Sequence, residues 1–413
     1  MHLYLLDNPI QRYPWGSVSG LTDCLGIPNP GGGPLAEVWM GAHPMAPSVI
    51  MYHGERRRLD ELIAERPSAF LGKHAVESFG KTLPFLLKGL SAAVPLSIQA
   101  HPSRHKAERG YDRENLAEIP LDAPERNYRD RNHKPEMVVA LTPFEGLFGF
   151  RPIPEIIGNI ELALPGRFSH QLERLERNPG RVELSVLFYS IMSSGGTERK
   201  EMLSAATSAL AGILGDTGLD PEKRASLGWI LRLAELYPED MGALAPLFMN
   251  HMTLEPGEAL YVAPGELHGY FRGEALELMA NSDNVLRGGL TNKHIDLPEL
   301  ISVLDFDSFR PSPFRAVAAQ NARAGAEEEF FPLVAPDFRL SRLTVRDRRL
   351  SRRGTGPEIV LCTDGRAILS DGSGTLVLER GEAAFIRADS GAWSIEGNCV
   401  VHRAFLPSEG SQA

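Results

Sequence analysis

Leu254-Glu255-Pro256-Gly257-Glu258-Ala259-Leu260-Tyr261-Val262-Ala263-Pro264-Gly265-Glu266-Leu267-His268 is the stretch that decides the fold. A tight turn around Pro256-Gly257 leads into a short apolar strand, and a second turn around Pro264-Gly265 delivers a histidine. The opening half returns as Leu378-Glu379-Arg380-Gly381-Glu382-Ala383, again followed by an apolar run, Ala384-Phe385-Ile386. Such self-similarity points to two copies of one β-rich unit. Eleven residues after Gly257 stands His268, and eleven after Gly381 stands Ala392. One copy therefore carries a candidate metal ligand that the other lacks. Two ordinary hairpins sharing a turn are the competing reading, because turn residues recur for local reasons.

Within the first copy, Gly257, Gly265 and His268 fit the spacing of a known motif. It resembles the second motif of the cupin jelly roll. Ala263 stands where proline is usual there and Arg272 where asparagine is usual. With the repeat, this implies two cupin-like barrels, one metal-bearing and one degenerate.

Composition agrees with a turn-dense β architecture. The 413 residues include 40 glycines and 31 prolines, more than average usage and dispersed along the chain. A net charge of −10 disfavours a nucleic-acid binder but leaves room for a local basic pocket. Cys24, Cys362 and Cys399 are too few and too scattered for a disulfide framework or a thiolate metal cage. The start, MHLYLLDNPIQR, lacks a basic region and is broken by Asp7, and no uncharged apolar run reaches about 18 residues. The expectation is a cytoplasmic protein free of membrane and nucleic acid, monomeric with a dimer left open.

Residues 1–150 read as strands and loops with one or two helices. One helix is expected over Asp60–Arg66, stopped by Pro67. The apolar Lys81–Ala100 segment, interrupted by Pro84 and Pro95, reads as strands. Between 154 and 250 the period becomes helical. Met202, Leu203, Ala206, Leu210, Ile213 and Leu214 share one spacing. Asp220-Pro221 opens another helix carrying Leu227, Ile230, Leu231 and Ala234, closed by Pro238. The expected fold is mainly β with an all-α insert. A discontinuous catalytic cupin barrel spans 1–153 and 251–325, a helical domain spans 154–250, and a degenerate cupin-like barrel spans 326–413.

Three clusters carry chemistry. In Ser97-Ile98-Gln99-Ala100-His101-Pro102, strand alternation puts Gln99 and His101 on one face. Asn132-His133-Lys134-Pro135-Glu136-Met137 adds a carboxylate beside a lysine. With His268 this makes an N/O donor set suited to zinc or another first-row divalent ion. One carboxylate and three neutral donors leave Lewis acidity on such an ion. The third cluster holds Glu277, Asp283, Asn284, Arg287 and Lys293. Lys88, Lys134, Arg287 and Lys293 are expected to form a local anion pocket. Solvated loop charges are the alternative for Arg287 and Lys293.

Further motifs extend the pattern: Tyr13-Pro14-Trp15-Gly16, Glu37-Val38-Trp39-Met40-Gly41-Ala42-His43-Pro44, Leu83–Leu90, Pro95–Pro102, Asn132–Met137 and Ser282–Lys293. In this order they resemble the type I mannose-6-phosphate isomerase family as far as about residue 296. The resemblance implies interconversion of mannose 6-phosphate and fructose 6-phosphate, in carbohydrate metabolism leading to GDP-mannose. It implies one zinc ion per chain on Gln99, His101, Glu136 and His268, a catalytic Arg287, and substrate contacts from Trp15, Ser97 and Lys293. Asn292 departs from the proline common before that lysine. Such a reaction moves a proton between C2 and C1 through an enediol. Lys88 or Lys134, with a lowered pKa, or Glu277 or Asp283, are the candidate proton-transfer groups. A sugar-phosphate-binding regulator without catalysis and an iron-dependent cupin oxygenase are the readings from other classes.

Overall fold

Gly257 and Gly381 both lie at positive φ, +83° and +87°, where a side chain is strained. The computed structural model describes residues 2–215, 218–318 and 326–407. In it the two turns have the same bonds. The Gly257 N–H donates to the Ala140 carbonyl at 2.8 Å, and the Gly381 N–H to that of Cys362 at 2.7 Å. The Glu258 carboxylate accepts from the Glu255 N–H (2.9 Å), as the Glu382 carboxylate does from the Glu379 N–H (2.8 Å). The repeat in the sequence is thus a repeat in the structure.

The strands gather into two large antiparallel sheets and one two-stranded sheet. The 11-stranded sheet runs Phe314–Arg315, Glu258–Val262, Glu136–Ala140, His268–Ala280, Phe85–Ala92, Glu37–Gly41 and Ile10–Gln11. Ile98–Ala100, Leu286–Gly289, Phe144–Phe150 and Met249–Leu254 join it off this path. The 13-residue strand His268–Ala280 is the hub and pairs with four others. It changes partners at a register shift between Tyr270 and Arg272, where Gly273 takes φ +110°.

The 8-stranded sheet runs Leu3–Leu5, Ala383–Ile386, Glu358–Asp371, Ala392–Phe405, Arg339–Arg353, Ala326–Phe330 and Val317–Ala318, with Gly374–Glu379 on Glu358–Asp371. The strand nearest the N-terminus thus belongs with those nearest the C-terminus. Both strand orders are open, so the expected barrels are not closed on themselves.

Helices fill the interval between Phe150 and Met249, as the 3.6-residue period predicts. The Asp220 carboxylate accepts the Lys223 N–H at 2.8 Å and Pro221 takes the first turn of Pro221–Leu236. Met202, Leu203, Ala206 and Leu210 of Gly196–Ile213 are buried, while Ile213 and Leu214 are only partly so. Phe150 and Phe306 stack on either side of the junction with Phe188 and Phe248. Each such buried ring contributes about 1.5–3 kcal/mol.

The first 150 residues hold more helix than expected. Leu59–Glu65 forms, but Pro67 also starts Pro67–Leu71, because its fixed φ suits a helix N-terminus, and Lys73–Phe79 follows. Gly20–Leu25 and Arg104–Leu116 are further helices, the latter capped by Ser103 accepting from the Lys106 N–H. Residues of both sheets share one core, in which Phe70 stacks on Phe385 at 6.0 Å.

A Cβ on Gly381 would lie 2.3 Å from the Leu25 carbonyl oxygen, whereas one on Gly257 would meet only the flexible Arg315 guanidinium at 3.2 Å. Thermal unfolding should therefore show Gly257→Ala losing about 1 kcal/mol from backbone strain, and Gly381→Ala losing distinctly more.

Candidate metal centre and its cavity

Strand register builds this site. Gln99 lies directly opposite His268 on one neighbouring strand and opposite Arg287 on the other. Side chains paired across strands share a face, so these three project together. Glu136 pairs with Met279 and Val262 on adjacent strands. A second row runs Trp39, Lys88, Glu277, each opposite the next.

His101, Glu136 and His268 converge, with candidate ligand atoms within 4.8 Å of one another and all three side chains buried. His101 Nε2 lies 3.3 Å from Glu136 Oε1, and His268 Nε2 lies 3.4 Å from Glu136 Oε2. The Gln99 amide nitrogen is 3.3 Å from His268 Nε2, and a half-turn of the amide presents its oxygen instead. Zinc–ligand bonds of 2.0–2.1 Å in a tetrahedron put donors about 3.3 Å apart, so the four groups fit such an ion. His101 Nε2 and Glu136 Oε2 are buried and lack hydrogen-bond partners, as atoms aimed at a cation would be. The other ring nitrogens are held from behind, His101 Nδ1 by the Asn284 carbonyl at 2.7 Å and His268 Nδ1 by the Glu266 carbonyl at 3.1 Å.

Electrostatics suit ligation. Burial, reinforced by Lys134, lowers the His101 imidazolium to about 4, leaving a neutral ring at physiological pH. Burial also disfavours charge on His268, but Glu136 outweighs it and the net direction is upward. Burial alone would raise the Glu136 carboxyl. Lys134, whose Nζ is 3.1 Å away, and the two histidines instead hold it well below the carboxylate range.

The centre opens into a cleft of about 890 Å³, within the range of small-molecule sites. Every expected site residue outside the metal cluster lines it: Trp15, Ser97, Lys88, Lys134, Glu277, Asp283, Arg287 and Lys293. The four expected cations divide into two kinds. Lys134 is committed to Glu136, and Lys88 donates to Glu277 at 3.1 Å with Glu37 3.8 Å away. Burial opposes charge on Lys88, yet Glu37, Glu277 and Glu136 raise its pKa, so the lowered amine pKa expected of a lysine base does not occur there. Arg287 and Lys293 are joined by Arg129 instead. Among the described residues no carboxylate lies within ion-pair distance of these three. Burial and mutual repulsion depress Arg287 and Lys293, the mark of cations awaiting an anion.

Glu277 is raised by burial and by Glu136, against Lys88 and Lys134. Its oxygens accept from Tyr270 Oη (3.0 Å) and Lys88 Nζ. Asp283 behaves oppositely: burial is outweighed by His43, 3.3 Å away, and the carboxyl is lowered. Sequence reasoning missed Arg129 and Tyr270 as site residues. It also missed the clasp in which Asn284 Oδ1 accepts from the Arg129 N–H (2.8 Å) and Asn284 Nδ2 donates to the carbonyls of Asp130 and Asn132. Tyr270, two residues after His268 on one strand, was legible by alternation, whereas Arg129 sits in an irregular loop without periodicity.

The chain is 39% identical over 402 residues to a mannose-6-phosphate isomerase of Escherichia coli (strain K12), covering 97% of this chain and 98% of that one. It belongs to the type I mannose-6-phosphate isomerase family. Residues 3–153 match the type I phosphomannose isomerase catalytic domain and residues 327–406 the mannose-6-phosphate isomerase cupin domain. The human mannose-6-phosphate isomerase is 31% identical over 420 residues, with 94% of each chain covered. A zinc-bound mannose 6-phosphate isomerase superposes with TM-score 0.87 at 37% identity over 99% of this chain and 100% of the other. The Salmonella typhimurium isomerase bound to its substrate and to zinc gives the same score, identity and coverage. The family's cupin domain thus falls on the second copy of the turn, where Ala392 replaces the ligand.

His101→Ala should lower retention of a divalent metal by more than about tenfold, since even outer-shell losses reach that size. Metal analysis after dialysis, with circular dichroism to confirm folding, checks this, and undiminished retention removes His101 from the centre.

Proposed function

We propose that the protein is a zinc-dependent isomerase interconverting D-mannose 6-phosphate and D-fructose 6-phosphate. The carrying observation is the cluster of Gln99, His101, Glu136 and His268, with neighbouring donor atoms 3.3–3.4 Å apart, opening onto a cleft with three cations free of carboxylate partners among the described residues. Family membership and the relative that binds zinc and substrate support it. The architecture we infer is a discontinuous catalytic jelly roll of residues 1–153 and 251–325, a helical insert over 154–250, and a degenerate cupin unit over 326–413. The proposed boundary at 325 lies outside the described residues.

Zinc, when bound, supplies Lewis acidity at the substrate oxygens. Glu277 is the base we assign to the proton shared between C2 and C1, because its raised pKa brings it toward neutrality and two donors fix its oxygens. Lys88 remains an ammonium, orients Glu277 and donates to the developing oxyanion. Lys134 pairs with Glu136 at 3.1 Å and so stands beside the metal ligands. Asp283, held ionised by His43, lines the cleft among polar groups. Arg287, Arg129 and Lys293 form a cationic wall for the phosphate and the enediolate charge. Trp15, stacked with Tyr13 at 5.6 Å, and Ser97 complete the walls.

Turnover of fructose 6-phosphate by purified protein should vanish on chelation and return with zinc. Full activity after exhaustive chelation, with no metal bound, removes the assignment. Arg287→Ala should lower kcat/KM by roughly 10²–10³-fold with zinc content intact; near-wild-type turnover would take Arg287 out of the mechanism.

A base works only when deprotonated, so kcat/KM should fall as pH drops through the raised Glu277 pKa. Lys88 restrains that pKa, and Lys88→Met should move the acid limb to higher pH. A pH–rate profile whose limb stays or moves down contradicts the Glu277 assignment.

A further inference from the structure

The cationic wall is mounted on an unusual turn. Arg287 lies in a short strand and Lys293 follows after Gly288-Gly289-Leu290-Thr291-Asn292. Gly289 takes φ +147° and Leu290 takes φ +55°, a conformation that costs a branched-chain residue about 1–3 kcal/mol unless surroundings enforce it. The enforcing surroundings belong to the helical segment. Asp240 Oδ1 accepts the Gly242 N–H at 2.8 Å, and Oδ2 of the same carboxylate accepts the Thr291 N–H at 3.1 Å. One side chain thereby ties the start of the 3₁₀ helix Met241–Leu247 to the turn. Contact at the junction is backbone on backbone: a Cβ on Gly289 would stand 2.7 Å from Gly242 Cα, and one on Gly242 would stand 2.9 Å from Gly289 Cα and from the Leu290 nitrogen. A second strap lies alongside, where Tyr237 Oη donates to the Pro95 carbonyl at 2.6 Å.

We infer that Asp240 is a positioning residue that, through the Gly242–Gly289 contact, sets the place of Arg287 and Lys293 for an anionic phosphate group. The inference rests on the cationic-wall reading above. It gives the helical segment a part in substrate recognition, although its own side chains at the cleft, Leu236, Tyr237, Pro238 and Asp240, bring no cation. The sign of the effect separates positioning from plain electrostatics. Asp240 is an anion lining the cleft that Arg287 and Lys293 also line. Removing its charge alone would strengthen anion binding. Losing the anchor lets the turn relax and weakens anion binding.

The test measures KM for fructose 6-phosphate and competitive inhibition by inorganic phosphate on zinc-loaded full-length protein, with zinc content and melting temperature as controls. Asp240→Ala should raise both KM and the phosphate inhibition constant about tenfold, with a smaller change in kcat and full zinc content. Asp240→Asn keeps one acceptor oxygen and should fall between, and it is the variant to read if Asp240→Ala lowers the melting temperature. Gly242→Ala changes no charge, displaces the turn by contact and should weaken phosphate in the same direction. Phosphate inhibition that weakens with Arg287→Ala and Lys293→Ala but stays equal or tightens with Asp240→Ala overturns the inference alone. Phosphate inhibition indifferent to Arg287→Ala and Lys293→Ala overturns the cationic wall and the inference with it.

Discussion

Glu136 is a carboxylate with 1% of its surface exposed, and the site is arranged around keeping it ionised. An ion moved into a protein interior costs several kcal/mol, recovered only through good geometry with several partners. Those partners arrive on separate elements: Lys134 from the loop before its own strand, His101 from the end of Ile98–Ala100, His268 from the start of the hub strand. A slip of one residue in any of these strands would turn its side chain to the opposite face and leave the charge bare. The same register that compensates Glu136 brings Gln99 between His268 and Arg287. The candidate metal centre and the proposed anion wall are therefore two consequences of one alignment.

The cations of the cleft divide by whether a carboxylate already claims them. Lys88 and Lys134 are each paired with a buried carboxylate. Arg129, Arg287 and Lys293 repel one another along the cleft wall, Arg287 partly buried and the other two exposed, an arrangement that becomes favourable when an anion enters. In the proposed reading, this is how a chain of net charge −10 offers a site to a negative ligand. Field strength in a low-dielectric cleft is set by the nearest groups, with distant surface carboxylates screened by water and salt.

Much of this was legible because it rests on local rules. Alternation put Gln99 and His101 on one face, the shared turn chemistry of Gly257 and Gly381 announced the repeat, and Asp220-Pro221 marked a helix start that the structure contains. Features that depend on tertiary contact were not. Arg129 and the clasp that Asn284 makes on its loop depend on contact between distant segments, as does the link from Asp240 to Thr291. Helices at Pro67–Leu71 and Lys73–Phe79 were obscured by a proline that reads equally as a stop and as a start. Lys88 was expected to lose its proton more easily. The carboxylates that prevent this come from strands about 50 and 190 residues away, and only register makes them neighbours.

The strand Leu3–Leu5 pairs with Ala383–Ile386, so residues made early must wait for residues made late. During synthesis the sheet that bears the metal ligands can be completed once Phe314–Arg315 has appeared. The other sheet cannot form until Ala392–Phe405 is available to pair with both Glu358–Asp371 and Arg339–Arg353. Contacts this distant in sequence make for slow closure. Until then Leu3–Leu5 is an unclaimed strand edge, the kind of surface to which chaperones and other nascent chains bind. The seam between Leu3–Leu5 and Ala383–Ile386 is therefore among the last parts of the sheets that can close during synthesis.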